Sequence, residues 1–212
     1  MSVIDDIKEA VVDGDIDEID DLVQQAIDEG IDPNSIINDG LVGGMDVVAP
    51  LFRDGEMFVP EVMEAADAMK AGVAKVQPLL GDAGMETKGK VVIGTIDGDL
   101  HDIGKNLVVL MLESNGYEVI DLGIDVEAQT FIDSVRDENP DIVGFSAMLT
   151  TTMMEMDKNV KAFEEAGIRD QVKIIIGGAP ITQEFADEIG ADGYSVDAAA
   201  CVTLCDSIMA AK

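Results

Sequence analysis

The sequence predicts an α/β protein in two parts, an N-terminal four-helix bundle followed by a doubly wound domain built on a five-stranded parallel sheet. Three observations carry this. Apolar residues over residues 1–80 recur with the helical period, a polar, glycine-containing stretch then breaks all periodicity, and beyond it short apolar runs alternate with amphipathic stretches. With 212 residues, 47% of them apolar, the chain has enough to bury for one large core or two modest ones. The expected boundaries are a bundle over 1–80, a linker over 81–89 and an α/β domain over 90–212.

The bundle is read element by element. A weaker helical segment spans Ile4 to Val12. In "DIDEIDDLVQQAIDEG", Ile16, Ile19, Leu22, Val23, Ala26 and Ile27 follow the 3.6-residue period, and Gly30 is placed to stop the helix. The third helix has Asp32 as N-cap and Pro33 at its first position, then Ile36, Ile37, Leu41, Met45, Val48 and Phe52 along one side. A fourth begins at Pro60 and presents Val62, Met63, Ala66, Met69, Val73 and Val76. Short connections favour an antiparallel arrangement.

In the second part, strands are expected at Val91 to Ile96, Tyr117 to Leu122, Asp141 to Ser146, Val172 to Ile176 and Gly193 to Val196. Helices are expected near 104–115, 127–138, 152–166, 182–189 and 198–211. Runs such as "KVVIGTI" and "VKIIIGG" are apolar throughout, as strands covered on both faces must be.

Thirteen Lys and Arg against 44 Asp and Glu give a formal charge of −31, which repels phosphate backbones and anionic membranes. Nucleic acid and membrane surfaces are therefore not expected partners. The acid serves solubility, or else a surface that recruits basic proteins. No signal-peptide h-region opens the sequence and no apolar run approaches the ~20 residues of a membrane span, so the expected location is cytoplasmic. Cys201 and Cys205, one helical turn apart, read as buried hydrophobes rather than a disulfide or metal pair.

The chain's single histidine lies in "IDGDLHDIGKN", a turn at the carboxyl end of the first strand, where open α/β sheets bind their ligands. Common occupants of that position fail on their motifs. There is no G-x-G-x-x-G, and "LGIDVEA" lacks the expected acidic residue in context. No Walker A loop is present, since Gly104 and Lys105 are followed by asparagine. A receiver-type phosphoacceptor would need a lysine after the fifth strand. By itself His101 could be an ordinary surface or turn residue. Asp99, two residues earlier, can reach its Nδ1–H, fixing the tautomer that leaves Nε2 free for a metal. One histidine and two distant cysteines cannot make a protein-only zinc or two-metal site. The metal would have to bring equatorial ligands of its own, as a macrocycle does, and a glycine-lined slot beside a parallel sheet suits the long substituent of a cobamide.

Asp99, His101 and Gly104 as D-x-H-x-x-G, then Ser146 opening "SAML", then Gly177 and Gly178, resemble the signature of the corrinoid proteins that share their cobalamin module with cobalamin-dependent methionine synthase. Met148 stands where leucine is usual, a volume-conserving change. "LFRDGEMFVPEVMEAADAMKAGV" resembles the helical cap that precedes this Rossmann-like module, so the likeness covers nearly the whole chain.

This resemblance implies that His101 is the lower axial ligand of cobalt in a base-off cobalamin, displacing the benzimidazole, with Asp99 as its hydrogen-bonded partner and Thr152 completing the relay. Thr152 equally suits the N-cap of the following helix. Ser146 and Thr150 would meet the buried tail, Gly98, Leu100, Asp102, Gly104, Gly177, Gly178 and Ala198 would line its site, and the glycines would admit backbone close to the nucleotide or simply serve turns. Phe52, Val59 and Val62 align with the cap over the upper corrin face, or else are bundle core.

The implied activity is methyl carriage. Co(I) accepts a methyl group from a methylated substrate, methylamine or betaine favoured, through one substrate:corrinoid methyltransferase. Methyl-Co(III) then passes it to a second methyltransferase with a thiol or tetrahydrofolate acceptor. His101 would associate and release as cobalt cycles, the 81–89 linker would act as hinge, and a reductive activase would restore Co(I). The chain ends after the corrinoid module, which points to a stand-alone carrier of methanogenesis or one-carbon metabolism, without autonomous enzyme activity. Two alternatives carry the same histidine motif: a cobalamin-binding sensor, which normally adds a basic DNA-binding domain, and the small subunit of a carbon-skeleton mutase, which lacks the bundle.

Overall fold

The computed structural model describes residues 2–80 and 87–212. By its internal contacts the chain divides into two compact units, one running to Thr87 and taking in Ser114–Gly116, the other comprising Lys88–Glu113 and Tyr117–Lys212. Of the linker expected over 81–89, residues 81–86 lie outside the described residues.

The first unit contains the helices α1 (Val3–Asp13), α2 (Ile16–Asp28) and α5 (Val59–Val76), with a rod between them formed by α3 (Pro33–Ser35), a π-helical stretch Ile36–Val42 and α4 (Gly43–Arg53). Local chemistry sets each boundary. Ser2 and Asp5 close a capping box on α1, Asp15 caps α2 through Glu18 N, and Asp32 caps the rod ahead of Pro33. Gly30 follows α2 in a left-handed conformation, as expected of a stop. The fourth helix starts at Val59, one residue before the expected Pro60, because Glu61 reaches back to accept from Phe58 N at 2.8 Å. The π-helical turns depart from the regular helix expected there. They fall in "IINDGLV", where Asn38, Asp39 and Gly40 are poor helix formers. Close packing accompanies them, since a Cβ on Gly44 would lie 2.6 Å from Val11 Cβ of α1.

α1 packs on α2, α4 and α5, and α2 on α5, as a small bundle requires. Ile7, Val11, Ile19, Val23, Leu41, Met45, Val48 and Val62 are wholly buried. One expectation is corrected: the 21-residue rod Pro33–Arg53, mean hydropathy 1.2, has the length and composition of a membrane span. Its Ile36, Leu41, Met45 and Val48 are nonetheless buried, while Asp39, Asp46 and Arg53 interrupt the rest of the rod.

The second unit alternates β1 (Lys90–Thr95), α6 (Ile103–Ser114), β2 (Glu118–Asp121), α7 (Ala128–Glu138), β3 (Ile142–Ser146), α8 (Met153–Glu165), β4 (Lys173–Gly177), α9 (Gln183–Ile189), β5 (Gly193–Ser195) and α10 (Ala198–Ala210). Every strand pair is parallel, in the order β2-β1-β3-β4-β5. The order reverses between β1 and β3, which makes their carboxyl ends the binding position. Val92, Val143, Phe145, Ile174 and Ile176 point to one face of the sheet and share a core with Phe131, Val135, Met156, Val160, Phe163 and Phe185 of α7, α8 and α9. Phe145 lies between Phe131 and Phe163 in edge-to-face contacts at 4.8 and 5.8 Å, each adding about 1 kcal/mol beyond area burial. Alternation turns Val91, Ile93, Ile142 and Ile175 to the opposite face. Cys201 and Cys205 of α10 are buried free thiols, and no cluster of three potential metal-ligating His, Cys, Asp or Glu occurs among the described residues.

Candidate functional site

The site is built by the loops that leave the carboxyl ends of β1, β2 and β3. β1 ends at Thr95, and an Asp97–Gly98 turn, with Gly98 at φ +76°, returns the chain so that Asp99 N donates to Ile96 O at 3.1 Å. This drops the Asp99 side chain into the protein, where it is 0% exposed. Two residues on, the His101 side chain is 54% exposed.

Asp99 is saturated with donors. Its Oδ1 accepts from His101 N at 3.1 Å and lies 2.7 Å from His101 Nδ1. Its Oδ2 accepts from Thr152 Oγ1 at 2.6 Å and from Met148 N at 2.8 Å, with Leu149 N at 3.4 Å. Burial pushes the carboxyl's pKa up, but the bonds from Thr152, Met148 and His101 outweigh it and hold the group well below the usual carboxylate range. A carboxylate that stays ionised must receive, not give, the proton at Nδ1. His101 therefore carries its hydrogen on Nδ1, and Nε2, which makes no hydrogen bond among the described residues, keeps its lone pair.

Thr152 occupies the N-cap position of α8, but its side chain caps nothing. Its hydroxyl donates to Asp99, with Leu149 O at 3.1 Å. Two further residues grip the histidine turn. Asp125, a non-glycine residue at φ +55°, accepts from Gly98 N at 2.7 Å and donates its own N–H to Asp99 O at 3.1 Å. Buried Thr95 donates its hydroxyl to the His101 carbonyl at 3.0 Å.

Strand register lines up Thr95, Ser146, Gly177 and Ser195 side by side across β1, β3, β4 and β5. The carboxyl edge of the sheet thus carries a shelf of small residues. A Cβ on Gly177 would meet Ser195 O at 3.3 Å, while one on Gly104, in the first turn of α6, would meet nothing within 4 Å. Gly178 answers to the turn alternative: at φ +129° its Cβ would fall 1.8 Å from Ala147 O, so packing of its own loop against the residue that follows β3 already requires glycine there. Leu100, Ile103, Met148, Leu149 and Val196 stand exposed around this edge, Ile103 at 87%, an apolar rim of the kind that marks a binding site. Gly98 and Thr150 are exposed, Asp102 is half-buried and accepts from Asn106, and Ala198 is buried at the start of α10.

The chain belongs to the B12-binding corrinoid proteins. Residues 89–202 match one family described as B12 binding domain, and residues 3–77 match a second of the same description. A corrinoid protein of Desulfitobacterium hafniense strain Y51 is 44% identical over 212 residues, covering 99% of this chain and 98% of that protein. The trimethylamine corrinoid protein of Methanosarcina barkeri is 44% identical over 193 residues, 90% of this chain and 89% of that one. Among solved structures, a chain of the methanol:cobalamin methyltransferase complex MtaBC from Methanosarcina barkeri superposes with a TM-score of 0.88 at 36% identity, covering 99% of this chain and 80% of that chain. A cobalamin-binding protein of Desulfitobacterium hafniense DCB-2 superposes with a TM-score of 0.82 at 34% identity, covering 97% and 98%.

The residues present fit a corrinoid. A single imidazole with one nitrogen held and the other free can supply an axial bond to a metal whose remaining ligands come from a macrocycle, and the small-residue shelf leaves room for a bulky substituent. In the helical unit of this corrinoid protein, Phe52 is half-buried, Val59 is 42% exposed and Val62 is wholly buried. Val62 therefore packs as bundle core and has no surface to offer a ligand. Phe58 and Met63 of the same unit are more exposed than Val59, at 67% and 51%. At the histidine turn and the sheet edge, sequence reasoning missed Thr95, Asp125 and Ser195. Only Asp125 left a local signal, as the acidic residue of "LGIDV", weighed there solely against a dinucleotide-binding pattern.

Proposed function

We propose that this corrinoid protein is a methyl carrier that works between two methyltransferases, with a methylated amine as the favoured donor. The observation that carries the reading is the His101 imidazole, held at Nδ1 by an ionised, buried Asp99 and free at Nε2. When bound, the corrinoid supplies a cobalt that takes up a methyl group in its low-valent state and yields it to a second acceptor. The protein's part is to bind, orient and exchange a proton. His101 would be the lower axial ligand, and the tail would lie along the shelf of Ser146, Gly177 and Ser195, past Gly104. Asp99, anchored by Thr152 and by the Met148 N–H, keeps the imidazole in the tautomer able to ligate. The same carboxylate, 2.7 Å from Nδ1, would offset positive charge on the ring if the imidazole were not engaged by the metal.

The methylamine preference rests on the relatives named for trimethylamine, and the partner reading on the methanol:cobalamin methyltransferase complex. The expected partners are a substrate:corrinoid methyltransferase, a corrinoid:thiol or corrinoid:tetrahydrofolate methyltransferase and a reductive activase. A cobalamin sensor is not favoured, since the relatives that match this chain over most of their own length are named as corrinoid proteins, several of them of trimethylamine or dimethylamine.

The test is anaerobic reconstitution with cobalamin. Wild type should show an imidazole-coordinated corrin spectrum, and His101→Ala should bind the corrinoid without it. Reduced holoprotein should then change spectrum when given a methylated amine together with its methyltransferase. Identical spectra for wild type and His101→Ala would refute the ligand assignment, and the absence of any response to methylated amines, methanol or aryl methyl ethers would refute methyl carriage.

A further inference from the structure

The histidine turn is held at more points than its ring requires. Asp99 fixes the Nδ1 edge and also the His101 N–H, whereas the His101 carbonyl is taken by a residue of the sheet itself, Thr95, at 3.0 Å. Thr95 is the last residue of β1, wholly buried, with its backbone held by Gly123 O and Val126 N on one side and its register shared with Ser146 on the other. It is therefore among the most firmly placed residues at this edge. Its hydroxyl ties the backbone on the carboxyl side of His101 to that fixed point, while Asp99 ties the amino side.

We infer that Thr95 is a positioning residue that sets how strongly His101 binds cobalt, and through that the potential at which the metal is reduced; the inference rests on the axial-ligand reading above. With N–H and carbonyl both captured, the Cα–Cβ bond of His101 has one direction, and the contact of Asp99 with Nδ1 then fixes the ring. Nε2 is thereby presented in one place before any metal arrives, so little freedom is lost on ligation. Without the Thr95 hydroxyl, the His101 carbonyl loses its partner and the turn can rotate about the Asp99 anchor. The ring remains in the correct tautomer but is presented less often. Asp99 chooses which nitrogen is free, and Thr95 chooses where it points.

Co(I) binds no axial base, so weaker imidazole binding to Co(II) makes reduction easier. Losing one hydrogen bond of ordinary net strength should lower the imidazole-bound to imidazole-free ratio about fivefold. At 59 mV per tenfold for a one-electron couple, this raises the Co(II)/Co(I) midpoint by about 40 mV.

The experiment is spectroelectrochemical titration of cobalamin-loaded wild type, Thr95→Val, Thr95→Ser and His101→Ala, with electron paramagnetic resonance of each Co(II) form to detect the splitting caused by an axial nitrogen. Thr95→Val keeps the shape of the buried side chain and removes the donor, whereas Thr95→Ser keeps the donor. The expected result is nitrogen splitting and matching midpoints in wild type and Thr95→Ser, a midpoint raised by about 40 mV in Thr95→Val, and a larger rise with loss of splitting in His101→Ala. A Thr95→Val midpoint equal to that of wild type, with splitting intact in both, overturns the inference and leaves the ligand assignment standing, even if thermal stability falls. Absence of nitrogen splitting in wild type overturns both. Should Thr95→Val fail to load, Thr95→Ala is read by the same criteria.

Discussion

Replacing Asp99 by asparagine removes a charge and almost no volume, so the damage is confined to the hydrogen bonds around one side chain. Every group facing the carboxylate is a donor: the His101 N–H and Nδ1–H on one oxygen, the Met148 N–H, the more distant Leu149 N–H and the Thr152 hydroxyl on the other. An asparagine supplies one acceptor oxygen and one NH2, so whichever way it is turned, one set of donors meets a donor. If the NH2 faces His101, the imidazole must present Nδ1 as acceptor and move its hydrogen to Nε2, where it can no longer bind a metal. If it faces Thr152 and Met148, a buried N–H is orphaned. Hydrogen bonds to a charged group contribute ~1.5–3 kcal/mol each and a stranded buried donor costs ~1–3 kcal/mol, and the hydroxyl can rotate to recover part of this, so Asp99→Asn should lose roughly 3 kcal/mol of stability. Urea unfolding of the cofactor-free chain should show a lower midpoint at unchanged slope. After cobalamin loading, imidazole coordination should be absent or greatly weakened at neutral pH. An Asp99→Asn chain that unfolds with wild-type stability and keeps an imidazole-bound spectrum would refute the claim that this carboxylate holds the histidine.

The remaining predictions use other parts of the same unit. Gly178→Ala should lower stability by roughly 2 kcal/mol or more, because its Cβ meets Ala147 O at 1.8 Å in a left-handed backbone, and thermal melts of the cofactor-free chain measure this. Gly104→Val, whose Cβ meets nothing, should leave those melts unchanged within about 0.5 kcal/mol while reducing cobalamin retention in gel filtration. Lys105 is buried with its Nζ 2.5 Å from Asp121 Oδ2, and Asp121 is one-third exposed. Asp121→Ala should therefore cost about 3 kcal/mol by leaving a buried cation without its carboxylate, with only Asn106 Oδ1 at 2.8 Å to accept from it, whereas Lys105→Met should cost less than ~1 kcal/mol, because the freed carboxylate can be hydrated; urea midpoints of the two variants decide the order. Asp99, Asp141 and Asp192 all have pKa values lowered on folding, despite burial that opposes the shift, by bonds from Thr152 and Met148, from Lys212 and Lys90 N, and from Ile174 N and Lys173. At these three carboxyls the unfolded chain binds more protons below about pH 4, so the stability they contribute is present at neutral pH and urea midpoints should fall as the pH drops below about 4, and Asp192→Asn should make the decline shallower.

Much of this was legible in the sequence because it depends on short-range periodicity. Strand and helix ends in the second unit fall within one or two residues of expectation, since all-apolar runs leave little choice in a sheet covered on both faces. The Asp99–His101 contact was legible for the same reason, two residues apart in one turn. What stayed hidden depends on register or on which side of a helix faces inward. Thr95 and Ser195 join the site only because parallel pairing aligns them with Ser146 and Gly177. Val62 and Val59 share a helical pattern, yet the first is wholly buried and the second lies at the exposed start of α5. The π-helical Ile36–Val42 departs from the 3.6-residue template that its apolar spacing suggests.

A chain with one histidine and a charge of −31 has no second imidazole in reserve and many carboxylates that could compete as acceptors for its N–H. The arrangement around Asp99 answers both problems. Among the described residues, the carboxylate in contact with His101 is wholly buried and bonded on both oxygens, out of reach of the acid that covers the surface. Its partners are a hydroxyl and backbone amides, not lysine or arginine, so its full negative charge remains directed at the imidazole. A cation in place of Thr152 would stabilise the carboxylate as well but cancel the field at Nδ1. The neutral donors hold Asp99 ionised without competing for it, which is why Thr152→Lys should weaken imidazole ligation even though it leaves the carboxylate charged.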